Sequence, residues 1–173
     1  MPDFSSFSVD EQLRSGEHIE IRALRPSDRQ ALLAAAERTS DRSLYRRFFG
    51  VRRSFSEEEV TSFVDVDFVN QVALVAIRRA AGDALIVAGA RYIIVSPGAA
   101  EIAFTVVDEF QGRGIASALL RHLVSLARTA GLRQLIAEVL PENTAMLRVL
   151  ERSGLRSERK RENGVVHITL QLD

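Results

Sequence analysis

The chain has 173 residues, the length of about one domain, and at 46% hydrophobic it can bury a core, which excludes a disordered chain. It has no cysteine, so structural disulfides, thiolate metal sites and cysteine nucleophiles are excluded as well. Lys+Arg and Asp+Glu balance at 23 each; no overall field draws the protein to nucleic acid or an anionic membrane, and any basic patch must be local. No apolar run nears the roughly 18 residues of a membrane span. Met1 to Phe7 lacks the basic-then-apolar layout of a secretory signal, so the cytoplasm is the expected location.

Residues 1–16, polar with Ser5, Ser6, Ser8 and Gly16, read as a loose N-terminal arm, and 17–173 as one domain. Ile19 and Ile21 alternate with Glu20 and Arg22, the period of a half-buried strand. Pro26 stops it, and Ser27 with Gln30 reads as a capping box opening a helix to about Arg38. A second helix is expected over 40–49. A third starts at Ser56 with Glu59 as box partner, its acidic run Glu57 to Glu59 lying at the positive end of the helix dipole.

Val72 to Ile77, Leu85 to Val95 and Glu101 to Val107 are β-rich runs joined by short turns at Ala81-Gly82-Asp83 and Ser96-Pro97-Gly98. Turns that short allow only an antiparallel meander, because parallel neighbours need a long crossover. Ile115, Leu119, Leu123, Leu126 and Ala127 mark one face of a long helix ending near Gly131. A strand over 135–140, a helix from Asn143 to Ser153 and two strands flanking Glu162-Asn163-Gly164 complete the chain. The order predicts an α+β domain whose mixed, mostly antiparallel sheet has seven strands.

Between a strand and the long helix stands Gln111-Gly112-Arg113-Gly114-Ile115-Ala116. The first amides of a helix have no intrahelical partner and carry partial positive charge, and glycines let a phosphate approach them. A plain turn before a helix is the unremarkable reading. A dinucleotide fingerprint fits poorly: antiparallel strands precede the loop, Ser117 replaces the third glycine, and Glu138 comes late. A P-loop fails, since no Gly-Lys-Ser/Thr follows.

The loop resembles the coenzyme A signature of the GNAT N-acetyltransferase superfamily, matched by Gln111, Gly114 and Ala116. The element order over about 17–171 is similar too, as is the helix from Asn143 to Gly154-Leu155. Residues 43–49, 100–103 and 138–143 resemble the catalytic domain of bacterial protein lysine acetyltransferases. In that group the domain is often fused to an acyl-CoA-synthetase-like or cyclic-nucleotide-binding domain, and this length predicts neither.

The resemblance implies a GNAT fold, acetyl-CoA as co-substrate and no metal. It also implies an N-acetyltransferase acting on a primary amine, a protein lysine such as one on an acyl-CoA synthetase, by direct transfer in a ternary complex. A small-molecule amine acetyltransferase and a non-catalytic acyl-CoA-binding module are the alternatives. By the same resemblance the main chain of Phe104, Thr105 and Val106 pairs with the pantetheine arm. The amides of Gly112, Arg113, Gly114, Ile115, Ala116 and Ser117, beside Gln111, hold the diphosphate, and Asn143 bonds the pantetheine end. Asn143 is equally a favoured helix cap.

A lysine ammonium, of pKa about 10.4, must lose a proton before it attacks, and a desolvated carboxylate can take it. Glu101 opens an otherwise apolar strand and is the first candidate; Glu138, between Ala137 and Val139, is the second. Each is equally readable as an exposed glutamate on a half-solvated strand. Relatives often carry a tyrosine acid where Leu150 stands here, which leaves the departing thiolate to water or to another group such as Tyr92. The cluster Tyr45 to Phe49, with Arg52 and Arg53 beyond, can bind a protein's acidic surface or the coenzyme phosphates; at helical spacing the favoured reading is Leu44 and Phe48 as core and Arg46 and Arg47 as a solvated face. The histidines at 18, 122 and 167 have no metal-site spacing, and no Gly-x-Ser-x-Gly elbow occurs.

Overall fold

The computed structural model describes residues 2–48, 55–80 and 82–173. Phe49, Arg52, Arg53 and Ala81, with the side chain of Phe48, lie outside the described residues. In chain order come β1 (Ser8–Gln12), β2 (His18–Ala23), α1 (Arg29–Glu37), α2 (Asp41–Phe48) and α3 (Glu57–Val64). Then follow β3 (Gln71–Ala80), β4 (Asp83–Ser96), β5 (Ala99–Val106) and α4 (Ile115–Thr129). The chain closes with β6 (Gln134–Val139), α5 (Thr144–Glu151), β7 (Ser157–Glu162) and β8 (Val165–Gln171).

The strands form one sheet in the order β1-β2-β3-β4-β5-β6-β8-β7. Every pairing is antiparallel except β5 with β6, which a crossover through α4 makes parallel. The sheet therefore has eight strands, not the seven expected from sequence. The extra one is β1, inside the segment read as a loose arm, and it pairs with β2 from Ser8↔Arg22 to Gln12↔His18.

Helices α1 and α2 pack over β4 and β5, with α3 against α1, while α4 packs along β3 to β5. The α4 stripe is buried as expected, from Ile115 through Leu119 and Leu123 to Ala127. Ser56 and Glu59 make their capping box, the Ser56 hydroxyl accepting from Glu59 N at 3.1 Å and Glu59 accepting from Ser56 N at 3.2 Å. The box at Ser27 and Gln30 does not form. A 3₁₀ turn over Pro26–Asp28 leads into α1 instead. There the Asp28 carboxylate accepts from Arg25 N and from both terminal nitrogens of Arg22, all at 2.8 Å. That buried pair clips α1 to β2.

Candidate functional site

Strands β5 and β6 pair only from Ala99↔Gln134 to Ile102↔Ala137. Beyond that point Phe104, Thr105 and Val106 keep their β4 partners Ala90, Gly89 and Ala88 but have none in β6. The gap becomes a cleft of about 660 Å³ between β5, β6, the start of α5 and the loop before α4. Part of the β5 main chain thus faces open space, with one exception: the Val106 carbonyl accepts from Gln111 Nε2 at 3.0 Å.

The same Gln111 nitrogen lies 3.0 Å from Ser43 Oγ on α2, and Ser40 N donates to Asp108 at 2.9 Å. These two ties fasten the front of α2 to the loop. Burial acts to raise the Asp108 carboxyl, but the hydrogen bonds from Ser40 and Ser43 outweigh it and hold the group below the usual carboxylate range.

Gly112 and Gly114 have φ of +77° and +87°, and Gly114 is the N-cap of α4. A Cβ at either would meet nothing within 4 Å, so crowding does not explain the glycines. The backbone conformation does, since L side chains resist it. Among the described residues no hydrogen bond is made by the amides of Gly112 to Ser117, which lie at the positive end of α4. That is the donor array an anion needs.

Every cofactor-binding residue expected from sequence lines the cleft except Arg113. Its side chain is held elsewhere: Nη1 is 3.1 Å from Glu17 Oε1, Nη2 donates to Glu109 O at 2.9 Å, and the guanidinium lies 4.7 Å from the Phe110 ring centroid. Asn143 caps α5, its Oδ1 accepting from Met146 N at 3.3 Å, and borders the cleft as well.

Both candidate carboxylates lie at the cleft and on one face of the sheet, Glu101 opposite Ile136 and Glu138 two residues further along β6. Both are exposed, not desolvated. Glu138 Oε1 is 3.6 Å from His167 Nδ1, its cross-strand partner in β8. Glu101 acts electrostatically on Arg47, whose guanidinium burial pulls below its ordinary pKa and Glu101 pushes back up.

Arg46 and Arg47, read from sequence as a solvated face, are half-buried in the cleft wall, while Leu44 is core as expected. Buried Arg46 Nε has no partner among the described residues. Arg148, Arg152 and Ser43 line the cleft too and were missed; the i, i+4 spacing of Arg148 in α5 and Arg152 at its C-cap was the available signal. Tyr92 is fully buried, away from the cleft, and burial pushes its hydroxyl up to about 12, so it is no acid for a leaving thiolate. Leu150 is buried core. Among the described residues no group of three or more His, Asp or Glu is placed to hold a metal.

A family model for the acetyltransferase (GNAT) domain matches residues 18–156. Acetyltransferase Pat of Mycolicibacterium smegmatis is 34% identical over 145 residues, covering 83% of this chain and 43% of Pat, so the chain spans less than half of that relative. The GNAT domain of S. lividans PAT superposes with a TM-score of 0.86 at 36% identity, covering 95% of this chain and 96% of that domain. At 18% identity, where likeness speaks for fold alone, the yncA structure from Salmonella typhimurium with its cofactor acetyl-CoA has a TM-score of 0.73, covering 90% of this chain and 94% of its own. Splayed strands, an unpaired amide array and the family match agree: the chain belongs to the GNAT acetyltransferase family.

Proposed function

We propose that the protein transfers the acetyl group of acetyl-CoA directly to a primary amine in a ternary complex, with a protein lysine side chain as acceptor. The observation that carries the reading is the layout of the cleft, which has unpaired amide donors at one end and carboxylates on one sheet face at the other. The amides of Gly112 to Ser117 grip the diphosphate, with Arg46, Arg148 and Arg152 adding positive charge. The edge of Phe104 to Val106, open but for the Val106 carbonyl, takes the pantetheine arm as an added strand, and Asn143 bonds its far end while capping α5.

The carbonyl to be attacked then lies where β5 and β6 part, near Glu101 and Glu138. Glu101 takes the proton of the acceptor ammonium, directly or through one water, with Glu138 as the second base. The neutral nitrogen forms its bond to the carbonyl carbon, the carbon–sulfur bond breaks and the thiolate departs, and the second nitrogen proton, released as the amide forms, passes to water, from which the thiolate can be protonated.

A protein acceptor is favoured by the surroundings of Glu101. Its cross-strand partner Ile93 is 46% exposed and Val95 is 53% exposed, an apolar surface beside the base that suits a macromolecule better than a small polar amine. Residues 17–173 are the catalytic unit and the preceding segment its brace. No helix among the described residues is long and apolar enough to cross a membrane, and the cytoplasm is the proposed location.

The test sets an acyl-CoA synthetase as protein acceptor beside a panel of polyamines, amino acids and amino-sugar antibiotics, with acetyl-CoA as donor. Acetylated lysine on the protein supports the reading. Turnover of a small amine alone replaces the acceptor class, and coenzyme binding without any turnover points to a binding module.

A further inference from the structure

A second cavity, about 120 Å³, lies between the sheet and α1, α2 and α3. Its floor is two rows of cross-strand partners, Val75-Gly89-Thr105 and Ala73-Arg91-Ala103. Leu32, Leu33, Leu44, Val60 and Phe63 form apolar walls above them. Ala103, Thr105 and Arg47 border both this chamber and the coenzyme cleft, so the two spaces adjoin.

Gly89 sits in the middle of β4, a central strand, two residues from the register shift at Val87; glycine there weakens the strand and marks a bulge or the close approach of a ligand or another backbone. Its φ is not in the left-handed region, and a Cβ there would stand 3.6 Å from Leu74 O, an ordinary contact. Neither backbone nor packing demands glycine at this place. The missing side chain keeps the chamber floor open.

We propose that this chamber receives the aliphatic tail of acyl groups longer than acetyl, so that the enzyme uses propionyl- and butyryl-CoA as donors. The inference rests on the coenzyme reading of the adjoining cleft. The charged residues lining the chamber are Arg47 and Arg91, with no carboxylate among them, which suits an ammonium acceptor badly. Arg91 is itself engaged, donating to Phe63 O at 2.8 Å with its guanidinium 5.6 Å from the Phe63 ring centroid. A neutral hydrocarbon chain fits what remains. A cavity of about 150 Å³ takes up benzene, so a tail of three or four carbons suits this volume. The transfer balances as it does for acetyl: the carbon–nitrogen bond forms, the thioester breaks, the amine proton passes to a cleft carboxylate and the thiolate departs.

The experiment is calorimetric titration of CoA, acetyl-CoA, propionyl-CoA and butyryl-CoA into wild type and Gly89→Val. Each methylene moved from water into an apolar chamber tightens binding by up to about fourfold, so butyryl-CoA is expected to bind several-fold to about fifteenfold tighter than acetyl-CoA. Gly89→Val should erase that gain and leave CoA and acetyl-CoA within about twofold of wild type. A β-branched residue suits a strand, which favours folding of the variant. If thermal melts show that it does not fold, Gly89→Ala replaces it and should weaken butyryl-CoA relative to acetyl-CoA by at least about twofold. The proposal is overturned if wild type binds butyryl-CoA no tighter than acetyl-CoA, or if the variant weakens all four ligands alike. Absence of binding by CoA itself overturns the coenzyme reading first, and this one with it.

Discussion

Helix α4 carries a left-handed glycine at each end, and the pair allows the proposed diphosphate loop to be tested against its own control. Gly114 at the N-cap has φ +87° and Gly131, just past the C-terminus, has φ +83°. Neither has a neighbour within 4 Å of a Cβ position, so alanine at either costs only the backbone strain, about 1–2 kcal/mol. Each kcal/mol lowers Tm by about 2–4 °C in a chain of this size. The two variants should therefore melt alike. They should part in coenzyme binding, because a methyl group at Gly114 stands where a phosphate must approach the amides, and a lost hydrogen bond to a charged group costs about 1.5–3 kcal/mol. Gly114→Ala should weaken CoA about tenfold to a hundredfold by calorimetry, with Gly131→Ala unchanged. Equal affinities in the two variants would remove the loop from the binding site.

Glu101→Gln is expected to lower kcat by about 10²–10⁴-fold and abolish the fall in rate on the acidic side of the pH–rate profile, with the acetyl-CoA Kd unchanged; an unaltered kcat transfers the role to Glu138. Asn143→Ala should cost about 1 kcal/mol through loss of the α5 cap, read by urea unfolding. Asp28→Asn leaves the Arg22 guanidinium buried without its counter-charge, at about 3–5 kcal/mol near neutral pH. Burial acts to raise the Asp28 carboxyl, but the hydrogen bonds and charges of Arg22 and Arg25 win and hold it below 3.8. The ion pair therefore contributes fully above about pH 4 and is lost as pH falls through the lowered folded-state pKa. Unfolding curves of wild type and Asp28→Asn should accordingly converge only in strong acid.

The contrast between the two outer strands shows what local pattern can carry. Strand β7, Ser157-Glu158-Arg159-Lys160-Arg161-Glu162, is wholly exposed and has no hydrophobic period, yet it was legible because Asn163-Gly164 fixes a hairpin to the alternating strand β8. Both turn residues take positive φ, as that turn requires. Strand β1, Ser8-Val9-Asp10-Glu11-Gln12, is equally polar, but Arg14-Ser15-Gly16 announces no particular turn. Its pairing with β2 shows only in three dimensions. Ser27 and Gln30 satisfied a capping pattern, but Asp28 was claimed by Arg22 on the neighbouring strand, a long-range partner that spacing cannot reveal. At the site, the Gly112–Gly114 loop and the strand carrying Glu101 were legible from local chemistry. The chamber over Gly89 was not, because three strands and three helices meet there from distant parts of the chain.

The brace formed by residues 2–17 couples distant places. Glu11 accepts from Arg121 at 3.2 Å and lies 2.5 Å from His122 Nε2, both on α4, while Glu17 joins Arg113 to Arg78, 3.3 Å away. Both of those guanidiniums lie over the Phe110 ring. Load applied to β1 is thus transmitted along α4 and straight into the loop that carries the donor amides. An affinity tag or a fused module pulling on the amino end would act as a lever on that loop, and cargo at Asp173 would pull on the opposite end of the same helix, where Arg128 donates to Leu172 O at 2.8 Å.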